Sequence, residues 1–388
     1  MDFELTDSQQ AVIDGVTRVC AGFDDAYWLA RDREGDFPHA FHRAMADGGW
    51  LGITMPEAYG GANLGITETA LMMKVVAGSG GGLTAASSIH MNLFGPHAIV
   101  VHGTTEQKSR WLPPLVQGHD KACFGVTEPD TGLDTTSITT RAERVAGGYI
   151  VHGQKIWTST AQHASRILLL ARTTPREHCA KKTRGLSLFY TSLDRRHIEV
   201  REIEKMGRKA VDSNQLFIDG LFIPEDDRIG EEGFGFEYLL DSLNPERILV
   251  GMEAIGIGQD AVRRAARYAS DRIVFGRPIG QNQSIQHPLA ESWMELEAAH
   301  LMGLRAAWLY DAGRPCGPEA NATKYLGAEA ALKACTNAIK VHGGMGYAKE
   351  FHVERLMREV MITVLAPVSP QMILNYIAER VLGLPKSY

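Results

Sequence analysis

The sequence predicts an α+β protein in three segments, helical, then β, then helical, and three observations carry that prediction. Apolar residues recur at the helical period over roughly the first third of the chain, change to a period of two across the middle, and return to the helical period after Gly233. Turn signals of the hairpin kind, Gly147-Gly148 and Asp219-Gly220, fall in the middle segment. The 388 residues are too many for one ordinary core, so two or three packed units are expected.

In the first segment, taken as 1–118, Ala11, Val12, Val16 and Val19 form one apolar stripe, and Ile66 to Val76 and Ala98 to Val116 show similar spacing. Pro56-Glu57-Ala-Tyr59-Gly60-Gly61 interrupts it as a loop. In the second, 119–230, Leu186, Leu188 and Tyr190, and then Leu216 and Ile218, alternate as strands do. In the third, 231–388, Ile248, Met252 and Ile255, and Ile285, Leu289, Trp293 and Leu296, mark long helices that pack as a bundle. Gly251, Ala254, Gly256 and Gly258 weaken the first of these as a helix, so they predict close approach of a neighbour or ligand.

Composition narrows function by exclusion. With 44% hydrophobic and 22% charged residues the chain reads as globular, and a formal net charge of -6 argues against a general nucleic-acid binder. Five scattered cysteines and fourteen histidines show no metal-ligand spacing, so no metal is expected, and His90, His97 and His102 are read as structural. The acidic start Met1-Asp2-Phe3-Glu4 is unlike a targeting peptide and no apolar run is long enough for a membrane span. The expectation is a cytoplasmic protein with no membrane partner.

Four motifs stand in one order: Gly125-Val-Thr-Glu-Pro-Asp-Thr-Gly-Leu-Asp134 followed by Lys155-Ile-Trp157-Thr-Ser159; Asn244-Pro-Glu246-Arg247; Arg272-Ile-Val-Phe275-Gly276 with Gln283; and His342-Gly343-Gly344-Met-Gly346-Tyr347. In that order and separation they resemble the acyl-CoA dehydrogenase family over most of the chain. The resemblance implies an N-terminal helical domain, a β-barrel-like middle domain and a C-terminal four-helix bundle, assembled as a homotetramer. It implies FAD as cofactor, an acyl-CoA as substrate and an electron-transfer flavoprotein as electron acceptor.

Residue by residue, the resemblance assigns Thr127, Trp157 and Ser159 to the flavin ring, with a hydroxyl donating to its N5. It assigns Arg272, Phe275 and Gln283 to the FAD of a neighbouring subunit, and Gly343, Gly344 and Gln371 to the same cofactor. Leu133 stands where the family usually has Ser, near the flavin phosphate and the pantetheine arm, so one hydroxyl contact is missing. Most members carry the catalytic Glu about 24 residues beyond the Gly-Gly loop, where this chain has Pro367. A minority, of the isovaleryl-CoA and long-chain type, carry it immediately before an Arg at the position of Glu246-Arg247. Glu246 is therefore the expected base, with Asn244, Arg247, Leu133 and Pro367 at the substrate. As a plain motif, Asn244-Pro245-Glu246 also reads as a helix start.

The reaction so implied is α,β-dehydrogenation of an acyl-CoA to a trans-2-enoyl-CoA. The departures at Pro367 and Leu133 leave a flavin oxidase or a desulfinase-type lyase on the same scaffold as rivals, and a non-catalytic flavoprotein subunit as a third reading.

Overall fold

The computed structural model describes residues 4–387, apart from the side chain of Phe94. Seven helices come first: α1 (Asp7–Cys20), α2 (Asp25–Glu34), α3 (His39–Asp47), α4 (Ile66–Val76), α5 (Gly82–Phe94), α6 (His97–His102) and α7 (Thr105–Val116). A capping box starts α1, Gln9 N–H donating to Thr6 Oγ1 at 3.2 Å and Thr6 N–H to Gln9 Oε1 at 3.1 Å. Its inner face is Val12, Gly15, Val16 and Cys20; Ala11, included in the predicted stripe, is exposed instead. The predicted run Ala98 to Val116 is broken at Gly103, because Thr104 caps a new helix through Gln107.

The middle of the chain is an eight-stranded sheet: β1 (Ala122–Gly125), β2 (Arg141–Val145), β3 (Gly148–Ser159), β4 (Arg166–Arg172), β5 (Leu186–Ser192), β6 (Ile198–Glu202), β7 (Ser213–Pro224) and β8 (Arg228–Ile229), in the order β6-β7-β3-β2-β4-β5-β8 with β1 beside β4. Strand β4 is buried on both sides, which is why Ile167-Leu-Leu-Leu-Ala171 is an unbroken apolar run. Ile167, Leu169 and Ala171 join Tyr149, Val151, Phe189, Leu216 and Ile218 in one core. Leu168 and Leu170, with Leu186, Leu188 and Tyr190, face the other way onto Trp111, Leu112 and Leu115 of α7, so the sheet is mounted on the helical layer.

Gly147 turns the β2–β3 hairpin with φ 80°. Asp219-Gly220, expected as a turn, lies inside β7 instead. The β3 register slips there, from Val151↔Leu221 to Gly153↔Ile218, and Gly220 at φ 68° supplies the positive dihedral of a bulge.

The last segment is α8 (Gly235–Asp271), a short ribbon of β9 (Ile273–Val274) and β10 (Arg277–Pro278), then α9 (Gln283–Asp311), α10 (Gly317–His342), α11 (Val353–Leu365) and α12 (Pro370–Arg380). The small residues of α8 let other helices touch its backbone. A Cβ on Gly251 would stand 2.8 Å from Thr323 of α10, and one on Gly256 would stand 2.2 Å from the Lys74 carbonyl of α4. Pro245 sits ten residues inside α8 rather than at its start, which removes the helix-start reading of Asn244-Pro245-Glu246. Trp293, counted in the α9 stripe, is 56% exposed. Among the described residues no single helix is long and apolar enough to cross a membrane; the bent pair α11 and α12 passes on length and composition alone.

Candidate active site

The loop before β2 is tied to β3 by a buried ion pair. Lys155 Nζ donates to Glu128 Oε1 at 2.8 Å and to the Val126 carbonyl at 3.1 Å. Glu128 also accepts from Thr139 N–H at 2.7 Å, Thr139 Oγ1 at 2.9 Å and Thr140 N–H at 2.9 Å. Burial opposes ionisation of Glu128, but Lys155 and these hydrogen bonds outweigh it and hold the carboxyl well below its ordinary range. The loop is thus clamped, with Ile156 N–H donating to the Thr127 carbonyl at 2.9 Å.

Past Lys155 the β3 register shifts, and Trp157 adopts φ 60° with its side chain 57% exposed. A left-handed tryptophan costs on the order of 1 kcal/mol or more in backbone strain, and more than half of its side-chain surface stays exposed. Nearby, the hydroxyls of Thr131 and Thr158 are buried without a partner, and Leu133 projects at 61% exposure. An exposed strained aromatic beside unsatisfied hydroxyls fits a planar, hydrogen-bonding cofactor laid against this strand end. Ser159 Oγ accepts from Arg208 Nη2 at 3.0 Å, which leaves its own proton for another acceptor.

Glu246 lies half-buried on α8 and has no hydrogen-bond partner among the described residues. Burial pushes its carboxyl up to about 7, against the pull of His90 and Arg247 and with some help from Glu253. A carboxyl of this kind is poised to take a proton near neutral pH. The other buried glutamates of the region are already engaged: Glu128 as described, and Glu359 by Thr84 N–H at 3.0 Å and Thr84 Oγ1 at 2.7 Å. Arg247 donates to Asn244 Oδ1 at 3.0 Å, and its Nε is buried with no acceptor.

Two features of this region escaped the sequence reading. His90 is paired with Glu253, Nδ1 to Oε1 at 2.6 Å, in the interior between α5 and α8. Burial would lower the imidazole pKa, but Glu253 reverses that and raises it. Arg208, in the turn before β7, reaches Ser87 of α5 at 3.0 Å as well as Ser159 and Ser213. Neither has a local sequence signal, because each depends on elements far apart in the chain.

The segment around Pro367 is held by Lys324 of α10, whose Nζ donates to the Val364 carbonyl at 2.8 Å and the Val368 carbonyl at 2.7 Å. Ala366 N–H is used by the Ile362 carbonyl at 2.8 Å, whereas Val368 N–H meets no acceptor among the described residues. Gln371 is exposed in the first turn of α12, the helix whose Tyr376 lies near Arg247.

The remaining predicted cofactor residues are elsewhere. Arg272 caps the far end of α8, roughly 40 Å from Glu246 at 1.5 Å per residue. It is exposed, and its guanidinium has no partner among the described residues. Phe275 is fully exposed at φ 51°, and Gln283 opens α9 beside it. Gly343 and Gly344 belong to the same end, because the ring of His342 stacks on Tyr268, one turn before Arg272, at 4.3 Å. A Cβ on either glycine would meet nothing within 4 Å, so this loop is open to a ligand. Within one chain, these residues lie at the opposite end of α8 from Glu246.

A concavity lined by Cys20, Lys74, Gly78, Gln259, Asp260 and Arg263 shares no residue with the Glu246 site. Among the described residues, no group of three or more His, Cys, Asp or Glu is placed to hold a metal ion.

A helical layer, a β domain and a helical bundle around a strained tryptophan and an unpaired carboxyl define an oxidoreductase of the flavoprotein class. The chain matches the acyl-CoA dehydrogenase N-terminal domain over residues 6–119, the middle domain over 123–221 and the C-terminal domain over 233–382. It is 34% identical to the acyl-CoA dehydrogenase fadE12 of Mycobacterium bovis, covering all of this chain and 99% of that one. It is 35% identical to the benzylmalonyl-CoA dehydrogenase of Aromatoleum aromaticum, covering 98% of this chain and all of the relative. Butyryl-CoA dehydrogenase from Megasphaera elsdenii superimposes with a TM-score of 0.93 at 27% identity, over 98% of this chain and all of that one. The chain belongs to the acyl-CoA dehydrogenase family, and its cofactor is FAD.

Proposed function

We propose that this acyl-CoA dehydrogenase converts an acyl-CoA to the trans-2-enoyl-CoA with Glu246 as the base. The observation that carries this reading is the Glu246 carboxyl itself, unpartnered and pushed up to about 7 by burial, where the other buried carboxylates of the site are fully engaged. Glu246 takes the proton from the carbon next to the thioester carbonyl while a hydride leaves the adjacent carbon. Bound FAD supplies the two-electron acceptor. Thr127, Trp157 and Ser159 orient it, and Val368 N–H is the free backbone donor for the thioester oxygen.

The partnerless Arg272 and open Gly343-Gly344 loop, at the end of α8 remote from Glu246, support a cofactor site shared between subunits of a homotetramer. Cytoplasmic location and an electron-transfer flavoprotein as acceptor complete the reading. The test is anaerobic bleaching of the purified yellow protein by a panel of acyl-CoA thioesters, followed by analysis of the product. An enoyl-CoA formed with stoichiometric bleaching supports it. Oxygen-dependent turnover with peroxide release, release of sulfite, or an inert flavin with every thioester would each replace it with one of the rival chemistries.

A further inference from the structure

His90 and Glu253 form an ion pair in the interior between α5 and α8, Nδ1 to Oε1 at 2.6 Å, with 10% and 2% of their side chains exposed. Burying two ionisable groups is costly, and apolar side chains of the same volume often fill such a place with no loss of stability. The sequence expectation that His90 is structural therefore leaves the pair unexplained.

The position of the pair on α8 relates it to the base. Glu253 follows Glu246 by seven residues, nearly two full turns, so the two carboxyls stand on one face of the helix about 10 Å apart along its axis. Helical side chains lean toward the N-terminus, which carries Glu253 and the ring bound to it toward Glu246. The α8 residues between them on that face, Leu249 and Val250, are apolar, so charge is felt there across a medium of low dielectric. Helix α5 is itself fixed. Thr84 binds Glu359 of α11 through N–H and Oγ1, and Ser87 Oγ accepts from Arg208 at 3.0 Å.

The charges acting on Glu246 are, in order of strength, those of His90, Arg247 and Glu253. Arg247 is its neighbour in sequence but turns to Asn244 Oδ1 at 3.0 Å. The ionisable groups of the other helices packed on α8 have partners of their own: Lys74 of α4 meets His300 Nε2 at 3.1 Å, His97 of α6 meets Tyr310 OH at 3.0 Å, and Lys324 of α10 holds the Val364 and Val368 carbonyls. On α11, Arg355 and Glu359 face each other at 3.5 Å. Arg208 opposes the charged form of His90, and Glu253 outweighs it.

We infer that the pair is a positioning device for the base: Glu253 keeps the His90 ring charged and fixed against α8, and that fixed cation favours the carboxylate form of Glu246, the form that accepts the substrate proton. The inference rests on the reading of Glu246 as the base. Burial alone would leave the imidazole neutral, and would do the same to the Glu246 carboxyl. Glu253 thus acts on Glu246 in two opposed ways, directly by repulsion and through the ring by attraction. The sign of its removal is diagnostic. Deleting a bare anion beside a carboxyl makes that carboxyl easier to ionise, whereas deleting the anion that keeps a neighbouring cation charged makes it harder.

The test is a pH titration of Glu246 in the FAD-loaded protein, read by the infrared band of its protonated carboxyl, identified by its loss in Glu246→Gln, and by the acid limb of kcat/KM for flavin reduction. His90→Gln, Glu253→Gln and the double variant are compared with the natural protein. The double variant removes both charges together and leaves no buried ion unpaired, and flavin absorbance reports that each variant is folded. In the natural protein both midpoints should lie near about 7. Both midpoints rise in all three variants, by about 1 pH unit in His90→Gln, so that kcat/KM falls about fivefold at pH 7 and recovers by about pH 9. A midpoint that falls in Glu253→Gln, one that stays in place in the double variant, or a loss of kcat/KM equal at every pH overturns the inference, while a slow Glu246→Gln enzyme leaves the dehydrogenase reading standing. Undiminished flavin reduction in Glu246→Gln removes that reading and this inference together.

Discussion

Glu246 and Arg272 are carried by the same helix, one about three turns in and beyond the internal Pro245, the other at its C-terminal cap, roughly 40 Å apart. Arg272 is exposed at that far end with no partner among the described residues, and the proposed shared site would put it on the cofactor of another copy. If the proposed shared site holds, Arg272→Ala should weaken both FAD retention and assembly, by removing a charge-assisted contact to the pyrophosphate at a subunit boundary. Gel filtration with flavin-to-protein absorbance checks this. A variant that stays fully assembled and fully yellow would contradict it.

Glu246→Gln keeps the shape of the side chain but cannot accept the proton. Flavin reduction by the best thioester should slow by about two to four orders of magnitude with FAD content unchanged. In the natural protein, kcat/KM should rise about tenfold per pH unit on the acid side and level off above about pH 7, as Glu246 ionises. Stopped-flow traces across pH read both effects.

The same raised pKa has a cost in stability. The unfolded chain loses this proton near about 4.3, whereas the folded chain keeps it to about 7. Between those values the folded state binds more protons, so stability falls as pH rises. Glu246→Gln escapes this penalty, and its Tm advantage over the natural protein should grow from about pH 4.5 to 7. A constant Tm difference over that range would show that burial does not shift Glu246.

Val368→Pro removes the free N–H beside Pro367. If that group polarises the thioester, kcat should drop by about 10²- to 10³-fold, while Val368→Ala, which keeps the N–H, should stay close to the natural enzyme. Matched kinetics for the two variants would assign the donor elsewhere.

Lys155→Met leaves Glu128 buried without its counter-ion and should destabilise the middle domain by about 3 to 5 kcal/mol. Adding Glu128→Gln should recover part of that loss, since the stranded charge is gone. Chemical denaturation of the single and double variants measures both terms.

The motifs were legible because each is local. Gly125 to Asp134, Lys155 to Ser159 and Glu246-Arg247 are short runs whose side chains are fixed by one loop, one strand end or one helical turn. Boundaries were less so. Asp219-Gly220 has turn chemistry but sits in a bulge, since pairing with β3 and β6 on both sides overrides the local preference of two residues. Pro245 has the chemistry of a helix start but lies within α8, whose first turns pack Leu239 and Ser242 inward and continue through the proline.

By itself, the sequence determined the helical, β, helical order, the family, the position of the unusual carboxylate and the loss of an N–H at Pro367, because periodicity and short motifs are properties of neighbours along the chain. Only the tertiary structure decided that Glu246 is unpartnered while Glu128 and Glu359 are clamped, that His90 meets Glu253, and that Arg208 reaches Ser87 and Ser159. Charge in a protein interior is governed by what packs around it in three dimensions. The partners of Arg208 and His90 come from α5, α8, β3 and β7, elements that sequence order keeps apart and folding brings together.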